Sequence, residues 1–140
     1  MKACESKFSR CLYFSSQAFA RKVERLAVEH WKPLGLAPSH AYLLVLALEQ
    51  PGIQPGKMAE QLQLSPSTIT RLIEKLEEQK LVIRESVGKE SHIHPTARAK
   101  ALFPQMREVM ARFYQAYKTA LGEEASMGLI AEMNTLTDQL

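Results

Sequence analysis

Apolar positions along this chain recur every three to four residues over most of its length and alternate in one short stretch. Phe8, Cys11, Leu12, Ser15, Phe19, Val23, Leu26 and His30 follow the helical spacing, with charges between them, which predicts a first helix from about Ser6 to Trp31. Pro33 and Gly35 end it. Pro38 suits the first position of a second helix, because its missing N–H costs nothing there, and this helix runs to about Gln50. Its apolar residues, Ala41 to Leu48, lie on nearly every side, so it should be the most buried element. After Pro51-Gly52, Ile53 reads as a one-residue strand. A short helix from Gln54-Pro55-Gly56 to about Leu62 follows, with a turn at Gln63-Leu64-Ser65. Ser65 caps the next helix, Pro66 opens it, and it continues to about Gln79. Leu81–Ser86 and Ser91–His94 read as two strands around a turn at Val87-Gly88-Lys89-Glu90. Thr96 caps a long helix from Ala97 to about Ala120, where a kink is expected at the interior Pro104. A last helix spans about Glu123 to Leu140, with two acids in its first turn to complement the helix dipole. The expected fold is mainly α with a small β-hairpin: a winged helix-turn-helix flanked by N- and C-terminal helices.

Within the helix after Ser65, Ile69, Leu72, Ile73 and Leu76 make a narrow apolar stripe. At about 100° per residue, Ser67, Arg71, Glu74, Lys75 and Glu78 fall on the far side, with Thr68 and Thr70 flanking the stripe. The first half of the exposed face therefore carries hydroxyls and Arg71 and no acid before Glu74. Arginine can pair bidentately with guanine, hydroxyls can bond bases or phosphates, and the helix N-terminus attracts phosphate. Any amphipathic helix with a Ser-Pro cap shares some of these features; the short helix and turn in front of it favour duplex DNA as its partner. The candidate DNA contacts are Ser65, Ser67, Thr68, Thr70, Arg71 and Lys75 in or at the rim of the major groove. Lys57, Arg84 and the hairpin-tip Lys89 are candidates for phosphates.

Charge tempers this picture. The 140 residues carry a net charge of +3, which permits nucleic-acid binding without arguing for it. Between Gln54 and Lys100 there are eight basic residues and six acids, a surplus of two. One copy should bind DNA modestly, and two copies reading two half-sites would be needed. The hydrophobic fraction of 46% and charged fraction of 24% are ordinary for a soluble globular domain, and the whole chain, 1–140, is expected to fold as one. No apolar run approaches the roughly 20 residues of a membrane span, and the N-terminus lacks the apolar core of a signal sequence, so a cytoplasmic location is expected.

These residues resemble the MarR family of bacterial transcriptional regulators. The likeness rests on Gly35-Leu36-Ala37-Pro38-Ser39-His40-Ala41-Tyr42-Leu43-Leu44, on Met58–Leu62, on Ser67–Glu77 and on Leu81-Val82-Ile83-Arg84, with Thr96 at the step into the long helix. It implies an obligate homodimer. In it, 36–96 would form the DNA-binding lobe, and the helices of 6–34 and 97–140 would interleave between subunits. Two lobes would grip adjacent major grooves of a pseudo-palindromic operator, under control of a small aromatic or phenolic ligand or of oxidation. The sequence departs from the family at the wing. The usual Asp-x-Arg signature is absent, with Val87 at the aspartate position and Lys89 near the arginine, so the usual brace is missing. Pro95-Thr96 replaces Leu-Thr, and Gln63 stands where many such turns have glycine.

Other candidate chemistry is thin. The two cysteines, Cys4 and Cys11, make no disulfide framework. On a continuous helix they would lie two turns apart, too far to bridge. Cys11 is a possible redox position by resemblance to the hydroperoxide-sensing branch of the family, whose cysteine aligns nearer Tyr13. His92 and His94 share a strand face, but no third ligand is evident and no metal or cofactor is expected. His30 and Trp31, near the family's ligand pocket, are expected to pack the core. No phosphate loop, nucleophile elbow or His-Glu-x-x-His motif occurs, so no enzyme activity is expected. The alternative is a winged-helix protein–protein adaptor that has lost DNA binding.

Overall fold

The computed structural model describes residues 1–140. Six helices and one hairpin follow in the order α1 (Leu12–Trp31), α2 (Pro38–Glu49), α3 (Pro55–Leu62), α4 (Pro66–Glu78), β1 (Val82–Val87), β2 (Glu90–Pro95), α5 (Ala97–Leu121) and α6 (Glu123–Thr137). Single 3-10 turns lie at Ala3–Glu5 and Lys32–Leu34. No helix is long and apolar enough to cross a membrane.

The core forms around α2, which buries Ala41, Leu43, Leu44, Val45 and Ala47. Against it pack Ile69, Leu72, Ile73 and Leu76, the four stripe residues of α4, together with Met58 of α3 and Ile93 of β2. Trp31 and Ala27 from α1 and Ala99, Met106 and Val109 from α5 join the same cluster. Trp31 is fully buried, its ring edge-on to Tyr42 at 5.9 Å, and His30 lies edge-on to Phe113 at 5.8 Å. Both thus pack as the sequence suggested.

β1 and β2 pair antiparallel from Val82↔Pro95 to Val87↔Glu90, leaving Gly88-Lys89 as a two-residue turn. Gly88 takes φ +63, which glycine adopts without steric cost at the first central position of such a turn. β1 is shifted by one residue from the expected Leu81–Ser86 and β2 is longer than the expected Ser91–His94, because the tight turn lets Val87 and Glu90 pair. Ile53 bridges to Ile93 as a one-residue third strand.

Two boundaries and one helix interior differ from expectation. The first helix starts at Leu12, not near Ser6; Ser6 and Cys11 are extended, and Cys11 is the residue before the helix. The periodic apolar residues there find little to pack on: Phe8 meets Phe14 at 5.7 Å but stays half exposed, and Leu12 is exposed. Cys4 and Cys11 consequently share no helix, and both are free, exposed thiols. At Pro104, α5 continues as unbroken helix. The residue lies on an exposed side, where water can satisfy the carbonyl that proline leaves unbonded. The last helix ends at Thr137 instead of running to Leu140.

The N-terminus of α5 is locked onto the α4–β1 corner. Thr96 caps the helix through Ala99 N–H and also donates its hydroxyl to the Lys80 carbonyl at 2.8 Å. Arg98 donates Nη1–H to the Gln79 carbonyl at 2.6 Å. α6 leans chiefly on α5, and its Met127, Leu129, Ile130, Met133 and Leu136 remain 38–56% exposed.

Candidate nucleic-acid interface

The turn between α3 and α4 is set by backbone chemistry. Gln63 adopts the left-handed conformation (φ 54, ψ 42) that terminates α3, and its side-chain Nε2 donates to the Glu60 carbonyl at 2.8 Å. This is the position where glycine would be free of Cβ strain; here a local hydrogen bond offsets part of that strain. Ser65 then accepts the Thr68 N–H at 3.3 Å, which satisfies one of the first orphan donors of α4.

From that cap a polar ridge climbs the outer face of α4. Ser65 Oγ lies 3.2 Å from Ser67 Oγ and 2.9 Å from Thr68 Oγ1, and Arg71 Nη2 donates to Thr68 Oγ1 at 3.5 Å. Ser65, Ser67, Thr70 and Arg71 are exposed and Thr68 half-buried. Thr70 is already a donor to the Pro66 carbonyl at 3.0 Å, so its hydroxyl is left chiefly as an acceptor.

The structure divides the candidate cations into two sets. Lys57 is paired with Glu60 at 3.2 Å, Lys75 with Glu78 at 3.5 Å and Arg84 with Glu77 at 3.0 Å. Arg71 on α4 and Lys89 on the hairpin tip have no carboxylate partner; neither do Lys80 and Lys100. The free positive charge thus sits at the first turns of α4, at the wing tip and near the α4–β1 corner. A phosphate approaching Arg84 would have to compete with the Glu77 carboxylate already paired with it.

His40, on the first turn of α2, was not singled out by the sequence, because the residue it faces lies 35 positions away on another helix. Burial, and then the nearby Lys75 ammonium, hold its imidazole below the ordinary value of 6.5. Arg98 likewise gains its role only through the fold, as does the second hydrogen bond of Thr96, to the Lys80 carbonyl. On the opposite face of the wing, His92 binds the Gly52 carbonyl through Nδ1 at 2.9 Å and Glu90 through Nε2 at 3.3 Å. His94 pairs with Glu85 at 2.9 Å. No three His, Cys, Asp or Glu side chains gather as a metal-holding group.

Residues 36–86, which span α2 to β1, match the sequence profile of the MarR family. The winged segment is thus MarR-like in sequence. It is 31% identical over 91 residues to the uncharacterized HTH-type transcriptional regulator YybA of Bacillus subtilis (strain 168), covering 63% of this chain and 61% of YybA. The likeness of fold to solved regulators extends over nearly the whole chain. The transcriptional repressor CouR, bound to p-coumaroyl-CoA, superposes with a TM-score of 0.86 at 18% identity, over 97% of this chain and 98% of CouR. MepR of S. aureus, in complex with DNA, superposes with a TM-score of 0.78 at 17% identity, over 91% and 96% of the two chains.

Proposed function

We propose that this protein is a MarR-type, sequence-specific DNA-binding transcriptional regulator that acts as a homodimer without covalent chemistry. The observation that carries the reading is the exposed Ser65–Ser67–Thr68–Arg71 ridge on α4, whose opposite side is fully committed to the core. Arg71, unpaired with any acid, reads a base edge. Ser67, Thr68 and Thr70 bond bases or phosphates, with Ser65 and Lys75 at the rim. Lys89 reaches a phosphate or the minor groove from the wing. Lys57 contributes to the phosphate field only if DNA competes with its exposed carboxylate partner.

The apolar exposed face of α6, continuous with Phe19 and Val23 of α1 and Leu121 of α5, suits a second copy of the same chain. Two copies would double the modest local charge and present two reading helices to a pseudo-palindrome. CouR, of the same fold, binds p-coumaroyl-CoA; by analogy a small aromatic ligand tunes this regulator. Oxidation of Cys11, an exposed thiol, is a further route of control.

The test is a titration of the protein against labelled duplex from the region upstream of its own coding sequence, at low and at physiological salt, with sedimentation to fix the stoichiometry. Saturable binding of two chains per site, resistant to excess random duplex, is expected. Absence of binding to any duplex at low salt would sink the reading and favour a winged-helix adaptor for another protein.

A further inference from the structure

We propose that Arg84 is a positioning residue: its ion pair with Glu77 fixes the wing relative to α4, and DNA affinity depends on it through that geometry. This rests on the DNA-binding reading above. Arg84 Nη2 and Glu77 Oε1 are 3.0 Å apart, and the two side chains are 34% and 36% exposed, so water only partly screens the pair. It reaches across the corner where α4 ends. Lys80 turns left-handed there (φ 58), and the Leu81 N–H returns to the Leu76 carbonyl at 2.9 Å.

The two strands of the wing are held differently. β2 is tied to the loop after α2 by the Ile53–Ile93 bridge, by Gly52 N–H donating to the Ile93 carbonyl at 2.8 Å and by His92. β1 buries nothing beyond Val82. Arg84 stands opposite the buried Ile93, on the inward face, and makes the one ion pair that joins β1 to α4. Lys89 lies five residues farther along the hairpin, about 17 Å at strand rise. A hinge of about 10° at Arg84 would carry the tip by about 3 Å, well beyond the roughly 0.5 Å within which such contacts must be held. The pair thus supplies a wing brace in a chain that lacks the Asp-x-Arg signature.

Arg84 as a phosphate contact and Arg84 as a brace differ in what happens when Glu77 loses its charge. The experiment compares wild type, Glu77→Gln, Arg84→Gln and the swap Glu77→Arg/Arg84→Glu. One readout is binding to the upstream duplex as a function of salt, and the other is amide hydrogen exchange over Val82–Val87 without DNA. The brace predicts that both single variants bind about three- to ten-fold more weakly, that both speed exchange in β1, and that the swap restores most of the affinity. A Glu77→Gln protein that binds as well as or better than wild type, with Arg84→Gln alone losing about one unit of salt slope, would make Arg84 a phosphate contact and overturn the proposal. Unchanged exchange in both single variants would overturn the brace whether or not DNA binds. Wild type that binds no duplex at all overturns the DNA-binding reading instead.

Discussion

Ser65 serves stability and recognition together, and a short substitution series separates the two. Its hydroxyl satisfies one N–H at the start of α4 and contacts the Thr68 hydroxyl at 2.9 Å. Ser65→Ala leaves that N–H without its protein partner. The site is exposed, so water replaces part of the lost bond, and the cost should be about 1 kcal/mol, within the usual span for cap removal. For a domain of this length that is a drop in Tm of about 3 °C. Ser65→Gly should cost only a few tenths of a kcal/mol, since glycine exposes the same N–H to water and accepts the cap backbone. Ser65→Asp keeps a capping oxygen and places a negative charge at the positive end of the helix, so stability should hold or rise slightly. In the proposed complex the same carboxylate would face phosphate, so DNA affinity should fall by about ten-fold or more. Thermal unfolding at one fixed protein concentration, which removes mass-action effects of self-association, gives the stability order Asp ≥ Ser > Gly > Ala. Anisotropy titration gives the affinity order, with Asp last. An Ala variant as stable as wild type would refute the cap, and an Asp variant that binds DNA normally would remove this end of α4 from the interface.

Arg71→Ala should weaken specific binding by about 1–3 kcal/mol and relax one base preference; wild-type affinity across a set of single-base operator variants would reject the docking. Lys89→Ala should lower affinity on all duplexes and reduce the slope of log affinity against log salt by about one, and an unaltered slope would take the tip out of the interface. Ile69→Ala removes a fully buried side chain of α4 and should cost about 2–5 kcal/mol in denaturant unfolding; a loss below about 1 kcal/mol would show that the α2–α4 packing is misdescribed. His40 gives a pH signature. Its folded pKa lies below the unfolded value of 6.5, so the unfolded chain takes up the proton first, and stability declines as the pH falls through about 6.5. The Tm of wild type minus that of His40→Gln should therefore decrease between pH 7.5 and pH 5.5, and a constant difference would mean that His40 titrates alike in both states.

Much of this protein is local, and what is local was legible in the sequence. The Ser65-Pro66 start, the four-residue stripe of α4, the Thr96 cap, the single bridging Ile53 and the glycine turn of the wing all follow from forces acting within a few residues: cap hydrogen bonds, φ restrictions and the side-chain period. The tertiary structure decided whatever depends on a partner distant in the chain. Periodicity extended the first helix back to Ser6, but Phe8 meets only Phe14 and stays half exposed and Cys11 is exposed, and an apolar stripe packed so thinly does not sustain a helix. Composition showed a surplus of two cations in the winged segment. Only the fold shows that Lys57, Lys75 and Arg84 are paired while Arg71 and Lys89 are free, because an ion pair forms where side-chain tips meet in space. His40 gained its neighbour Lys75, and Arg98 its hold on Gln79, in the same way. The sequence by itself determined which helix carries the polar ridge and which side of it is buried. The tertiary structure determined which charges on that ridge and wing remain available to a phosphate.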